Sequence, residues 1–241
     1  MNNNIFSEKI KQAFKHNGYS SLLTDSSIDK FFNLAELLVE ANKITNLTAI
    51  TDEDGIILKH FLDCATISKS IPKNSKVIDV GCGGGFPSLP IAIIREDISV
   101  LSLDSTGKKI DFVNSAVKEL GLKNSRAICA RAEDYAKQAR EEFDCCVSRA
   151  VARLNVLDEL CLPFIKIGGV FIAMKSEKAK EELVEAESGI IKLGGRIIST
   201  DKQALSFGGN TASRETIIIS KISETPEQYP RKYAQILKKP L

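Results

Sequence analysis

The chain has 241 residues, a formal net charge of +2, 43% hydrophobic residues and six cysteines. That length suits one large domain, or one with a small appendage, and the apolar fraction is enough for a sizeable core. The near-neutral charge argues against a free-standing binder of naked nucleic acid, usually a strongly basic protein, and no run approaches the roughly 18 consecutive apolar residues of a membrane-spanning helix.

The first 70 or so residues read as helical. Phe6, Ile10 and Phe14 recur four residues apart, and Ile28, Phe31, Phe32, Ala35, Leu38 and Val39 form a second apolar stripe at helical spacing. A third helix is expected from Asp52-Glu53-Asp54, acids suited to a helix N-terminus, carrying Ile56, Ile57, His60, Phe61 and Cys64. Pro72 and the polar Lys73-Asn74-Ser75 then break the pattern. Beyond them strands alternate with helices. Strands are expected at Lys76–Val80, Ser99–Asp104, Arg126–Ala130, Phe143–Ser148, Gly169–Lys175, Arg196–Thr200 and Glu215–Lys221. Helices are expected at Pro87–Ile94, Gly107–Leu120, Leu154–Ile165 and Glu177–Leu193. Such alternation implies a mostly parallel α/β sheet of seven strands. The last two strands have no clear helix between them, so a hairpin ending in an antiparallel edge strand is expected. The tail from Ser223, with Pro226, Pro230 and Pro240 among basic residues, reads as extended and solvated. Domain bounds follow: 1–72 a helical extension, 73–222 the α/β domain, 223–241 a basic tail.

The cysteines (Cys64, Cys82, Cys129, Cys145, Cys146 and Cys161) form no Cys-x-x-Cys pair, and His16 and His60 are the only histidines. No zinc-site spacing results, and no metal is expected. Cysteines in apolar strand-like runs behave as small buried hydrophobes. The opening Met1 to Ser7 lacks a basic stretch followed by an apolar core. Together these point to a reduced, cytoplasmic protein.

The densest motif is Val77-Ile78-Asp79-Val80-Gly81-Cys82-Gly83-Gly84-Gly85-Phe86-Pro87, a strand running into a glycine turn and then a helix. Glycine tolerates positive φ and lets a ligand approach bare backbone, so the turn is expected to offer unpaired N–H groups and a positive helix end to a ligand. A dinucleotide fingerprint fails in both registers, because Phe86 or Ser88 stands where its third glycine belongs. A P-loop is excluded because no Gly-Lys-Ser/Thr follows. The pattern Asp79-x-Gly81-x-Gly83-x-Gly85 resembles the first motif of Rossmann-like S-adenosylmethionine-dependent methyltransferases; the bland alternative is a glycine-rich turn that binds nothing.

Ligands in open α/β sheets lie beyond the carboxyl ends of the strands. At the second such end, Asp104 follows Gly85 by about the 20 residues expected of a ribose-binding acid, though Asp is also a good helix cap. At the third, Ala132-Glu133 is placed to meet an adenine, or Glu133-Asp134 merely opens a helix. At the fourth, Arg149 suits a methionyl carboxylate or an RNA phosphate, or is a surface arginine. Arg153 and Lys175 nearby suggest a basic mouth. No Asn/Asp-Pro-Pro-Tyr/Phe sequence, expected of an enzyme methylating an exocyclic base amine, stands at this end.

Taken together, these residues resemble the glucose-inhibited division protein B family, the RsmG methyltransferases. The resemblance runs from about Asn46 to Pro230 and includes Asn46-Leu47-Thr48-Ala49-Ile50, Lys59-His60-Phe61-Leu62-Asp63, Gly85-Phe86-Pro87-Ser88-Leu89-Pro90, Leu103-Asp104-Ser105, Arg131-Ala132-Glu133, Ser148-Arg149-Ala150-Val151-Ala152 and Tyr229-Pro230-Arg231-Lys232. It implies a class I methyltransferase fold, S-adenosylmethionine as cofactor and methylation of N7 of one guanine in 16S rRNA. It further implies cofactor contacts at Gly81, Phe86, Ala132, Glu133 and Arg149, with Asp104 matching the acid of the second strand. The family tail usually continues Arg-Lys with a Gly-Thr-Pro step. Here Tyr233-Ala234-Gln235-Ile236-Leu237 follows, a departure expected to concern the tail alone and not the cofactor site.

Guanine N7 carries a lone pair and no proton, so no general base is expected, and no catalytic residue is assigned. Catalysis would rest on proximity and alignment. A nucleophilic Cys145 or Cys146 is disfavoured because buried structural thiols are inert. His60 and Asp63 either help close over cofactor or RNA or simply pack. A small-molecule methyltransferase, an enzyme acting on another RNA and a non-catalytic RNA-binding assembly protein remain as alternatives. The small subunit or an assembly intermediate is the expected partner, with no membrane.

Overall fold

The computed structural model describes residues 1–149, 151–175 and 179–241. Seven strands form one sheet: β1 (Lys76–Val80), β2 (Ser99–Asp104), β3 (Ser125–Cys129), β4 (Phe143–Arg149), β5 (Ile165–Lys175), β6 (Gly195–Phe207) and β7 (Asn210–Lys221), in the order β3-β2-β1-β4-β5-β7-β6. The first five pair in parallel, and β7 runs antiparallel to both β5 and β6. The expected antiparallel strand therefore exists, but it is inserted beside β5, and β6 takes the edge. Strand order reverses between β1 and β4, which places a ligand crevice beyond their carboxyl ends.

Consecutive strand residues point to opposite faces, and the two faces build two cores. Val77, Val100, Cys145 and Ile172 face one side, against α1 (Asn3–His16), α2 (Asp25–Asn42), α5 (Ser88–Ile94) and α6 (Gly107–Glu119). Ile78, Leu101, Cys146 and Phe171 face the other, against α7 (Ala132–Tyr135), α8 (Leu154–Cys161), α9 (Ala179–Lys192) and α10 (Tyr233–Lys238). Local signals set the helix starts. Asn2 caps α1 by accepting from Ile5 N, and Thr24 and Ser27 form a reciprocal capping box on α2. Asp52 caps the third helix through Gly55 N at 2.7 Å. That helix runs as α3 (Glu53–Ile56), a π-helical stretch Ile57–Leu62 and α4 (Asp63–Ala65), a widening often seen at functional sites.

The expectations need correction at three places. The helix expected over Leu154–Ile165 ends at Cys161; a 3₁₀ turn over Leu162–Phe164 follows, and β5 starts at Ile165. Pro163 has no N–H to continue the α-helix. The final hairpin is more than twice the expected length at β6, because Asp201–Phe207 and Asn210–Arg214 pair through the backbone despite a largely polar sequence. The tail is not simply extended and solvated: Thr225, Tyr229 and Ile236 are buried and anchor it, and α10 forms within it, although many of its other side chains stay exposed. The helix expected over Glu177–Leu193 is present as α9, with Glu177 and Lys178 outside the described residues.

Candidate functional site

The glycine turn is built by backbone geometry. Gly81, Gly83 and Gly85 have φ of 75°, 57° and 86°, values an L side chain rarely adopts. The turn also closes on itself. Gly81 N and Cys82 N donate to Leu103 O, Gly85 N and Phe86 N donate to Cys82 O, and Gly83 N donates to Asp104 Oδ2 at 3.0 Å. The expected row of free N–H groups is thus mostly consumed; what the turn provides is close approach. A Cβ on Gly83 would meet nothing within 4 Å, so that face is open floor, whereas a Cβ on Gly81 would run into the Val151 side chain.

Asp104 ends β2 and organises the neighbourhood. Its Oδ2 accepts from Gly83 N and its Oδ1 from Thr106 N at 2.9 Å. A carboxylate has about four lone-pair sites, so acceptor capacity remains for a diol. The expected helix cap is not made: the N-cap of α6 is Thr106, and Asp104 holds the glycine turn and the Thr106 N–H instead.

Two cavities meet at Gly81, Asp104 and Val151. The smaller, about 180 Å³, has apolar walls from Leu103, Ala130, Ala132 and Leu160, with Glu133 as an acid within it. Glu133 lies in the first turn of α7, as the helix-opening reading expects, and is only 7% exposed where it borders the cavity. Tyr233 of α10 also lines this cavity, which overturns the expectation that the tail leaves the site untouched. The larger cavity, about 800 Å³, is lined by Leu47, Lys59, His60, Phe86, Arg149 and Arg214, among others.

Arg149, at the end of β4, is 17% exposed in its side chain and heavily committed. Its Nη1 donates to Asp63 Oδ2 at 2.9 Å and to Lys59 O at 2.8 Å, and its Nη2 lies 3.1 Å from His60 Nδ1. Guanidinium only donates, so Nδ1 accepts and the imidazole proton sits on Nε2, which donates to Thr48 Oγ1 at 2.9 Å. Burial, with the Arg149 charge adding to it, pushes the His60 pKa down to about 3. The His60 ring stacks on Phe86 with centroids 4.3 Å apart. Asp63, 1% exposed, also accepts from Arg214 Nε at 2.8 Å. A buried carboxylate shared by two arginines leaves the cluster with net positive charge, facing the larger cavity.

The candidate residues divide between the two cavities, with Gly81 and Asp104 shared. Gly81, Gly83, Phe86, Asp104 and Arg149 line the larger cavity; Gly81, Asp104, Ala132 and Glu133 line the smaller. Gly85 lines neither and serves the turn, where a Cβ would lie 2.5 Å from Leu89 Cδ1. Arg214 and Tyr233 carried no usable sequence signal: one sits in a polar stretch that reads as a loop, the other in a tail that reads as solvated. The expected basic mouth is neutralised by α9. Arg153 pairs with Glu185 at 2.6 Å and Lys175 with Glu182 at 2.8 Å.

Asp79, fully buried at the end of β1, accepts from Ser88 N at 3.0 Å through Oδ2. Burial pushes its pKa up to about 7, against the pull of the hydrogen bonds from Ser88. All six cysteines are free, and all but Cys129 are buried. Burial raises the Cys145 and Cys146 thiols well above their ordinary range, which removes them as nucleophiles. Among the described residues no cluster of His, Cys, Asp and Glu could hold a metal, and no helix is long and apolar enough to cross a membrane.

Residues 27–205 match the family model for GidB, rRNA small subunit methyltransferase G. Ribosomal RNA small subunit methyltransferase G of Clostridium perfringens (strain 13) is 44% identical over 221 residues, covering 90% of this chain and 92% of the relative. The protein of the same name from Clostridium tetani is 44% identical over 224 residues with the same coverage. Among solved structures, a SAM-dependent methyltransferase of Methanosarcina mazei aligns with TM-score 0.53 at 16% identity over 66% of this chain and 98% of its own. M. jannaschii TYW2 in complex with AdoMet aligns with TM-score 0.52 at 18% identity over 67% and 75%. At such identities the structures establish a shared fold. The sequence relatives and the family model establish more: this chain belongs to the GidB family of rRNA small subunit methyltransferases.

Proposed function

We propose that this chain transfers a methyl group from S-adenosylmethionine to N7 of a guanine in 16S rRNA. The observation that carries the reading is a Rossmann-type crevice with a ribose-type acid, Asp104, at the junction of two cavities, while among the described residues the other acids and the imidazole that line the larger one, Asp63, Glu182 and His60, are already engaged. His60 is held neutral with its Nδ1 engaged by Arg149, and Asp63 is shared between two guanidiniums. Transfer to a ring nitrogen bearing an in-plane lone pair needs no base. Bound S-adenosylmethionine supplies an electrophilic methyl group on a sulfonium centre.

Each residue has a defined task in this reading. Ala132 and Glu133 take the adenine end and Asp104 the ribose hydroxyls. Gly81 and Gly83 let the chain of the ligand pass close over backbone between the cavities. The Arg149–Asp63–Arg214 cluster gives the methionyl end a positive field, while Phe86 on His60 forms a flat wall. A guanine N7 lone pair carries no proton, so its methylation would ask these residues to hold donor and acceptor in line rather than to move a proton. Total charge is unchanged, so the catalytic contribution of these residues is alignment and exclusion of water.

The net charge of +2 and the glutamate-paired mouth favour a structured particle over naked RNA as substrate. We therefore read the small ribosomal subunit, or an assembly intermediate, as the partner, and the cytoplasm as the compartment. Residues 1–72 serve as the helical extension, 73–222 as the methyltransferase domain and 223–241 as its C-terminal segment.

The test is methyl transfer from labelled S-adenosylmethionine to small subunits lacking the modification, with the product nucleoside identified. Labelled 7-methylguanosine, lost with Asp104→Ala, is the expected result. A different methylated nucleoside, or label confined to small molecules, refutes the assignment of N7 or of RNA respectively.

A further inference from the structure

The C-terminal segment after Lys232 reaches the smaller cavity. Tyr233, the first residue of α10, is half-buried and lines that cavity opposite Ala132, Glu133 and Leu160. Its placement is built, not incidental. Arg231 donates from its backbone N (2.8 Å), from Nε (2.9 and 3.1 Å) and from Nη2 (2.5 Å) to Glu159, whose side chain is fully buried on α8. Leu160, the next residue of that helix, lines the same cavity. Upstream, Arg140 donates to the carbonyls of Thr225, Pro226 and Tyr229. The fully buried Lys221 donates to Glu141, Leu162 O and Thr225 Oγ1. Downstream, Ile236 is fully buried against the α8–α9 side of the core. Tyr233 is thus clamped on both sides.

From this placement we infer that Tyr233 is an adenine-binding residue of this chain, through which the C-terminal segment reaches the cofactor site. The rest of the cavity supplies apolar groups and, besides Asp104 at its junction with the larger one, the acid Glu133, suited to an exocyclic amine, but among the described residues no other aromatic ring. A purine gains most from an aromatic neighbour, and such contacts tolerate a range of relative geometries. The inference rests on the cofactor reading above and adds to it the residue that would make affinity depend on the tail.

The experiment is calorimetric binding of S-adenosylhomocysteine and of 5′-methylthioadenosine, which keeps the adenosine and lacks the amino acid end. Tyr233→Ala should raise Kd about five- to tenfold for both ligands, and Tyr233→Phe should stay within about twofold of the unaltered chain, the scale of base–aromatic contacts. In turnover, Tyr233→Ala should raise KM for S-adenosylmethionine by a larger factor than it lowers kcat. Hydrogen exchange on the unaltered chain gives a readout independent of any variant: S-adenosylhomocysteine should slow exchange across 229–237. Equal affinity in Tyr233→Ala, or no protection of 229–237 on binding, overturns this inference while leaving the cofactor reading standing. Failure of the unaltered chain to bind either ligand overturns both.

Discussion

Asp63 is the buried anion at the centre of the charge cluster beside the larger cavity. It is 1% exposed and is the anionic partner for both Arg149 and Arg214. Removing one partner of a buried ion pair strands the other charge, at a cost of about 3–5 kcal/mol. Asp63→Ala should therefore lower urea-unfolding stability by about that amount, and a loss under about 1 kcal/mol would show that the arginines find water instead. His60 makes a quieter prediction. With its proton on Nε2 and its pKa near 3, its imidazole carbon resonances should hold still from pH 5 to 8; an inflection near pH 6.5 would contradict the network. The sequence made part of this cluster legible and hid the rest. Lys59-His60-Phe61-Leu62-Asp63 and Arg149 stand in recognisable segments, whereas Arg214 is delivered by strand pairing 151 positions away from Asp63. No local pattern encodes that encounter.

Among the elements, the glycine turn separates fold from function at single positions. Gly81 and Gly83 both have positive φ, so an alanine at either carries a backbone penalty of about 1–2 kcal/mol. They differ in what a methyl group meets: the Val151 side chain at Gly81, open cavity at Gly83. Gly81→Ala should be the more destabilising variant in thermal melts. Gly83→Ala should retain more of the fold yet bind S-adenosylhomocysteine at least about tenfold more weakly, as a floor raised by one methyl excludes ligand atoms. The reverse order would mean that the open face of the turn is not where the ligand passes. This element was readable because its chemistry is local: a strand, an acid and spaced glycines within eleven residues. The β6–β7 extension and α10 were not, since both depend on distant partners. Gln203 and Ser206 hold the hairpin to Tyr19 and His16 at 2.8 and 3.0 Å, and Glu159 holds Arg231 beside α10. Tertiary pairing overrides a polar, turn-like composition in both cases.

At the scale of the whole molecule, two buried acids tie stability to pH. Burial raises Asp79 to about 7 and Asp158 to about 8, and the neighbouring Glu159 charge pushes Asp158 further in the same direction, against Lys175 and the backbone N–H of Glu159. In the unfolded chain both ionise near 3.8. Between that value and the folded pKa the native state holds protons that the unfolded state has released, so each group's contribution to stability falls as pH rises through the window. His60 acts oppositely: its folded pKa lies below 6.5, so its contribution is complete above 6.5 and is lost as pH falls toward 3. The two effects oppose each other in acid, but above pH 6.5 the carboxylic acids still change, joined toward pH 8.5 by the buried thiols of Cys64, Cys82, Cys145 and Cys146, whose raised pKa values act in the same direction. Stability should therefore decline from pH 6.5 to 8.5, and Asp158→Asn should flatten part of that decline. The amide keeps an oxygen for the Glu159 N–H, which Asp158 Oδ1 accepts at 2.7 Å, and it cannot ionise. The melting temperatures of Asp158→Asn and the unaltered chain should separate in the variant's favour as pH rises from 5 to 8.5. A constant offset across that range would mean that Asp158 ionises in the native state as readily as in the unfolded one.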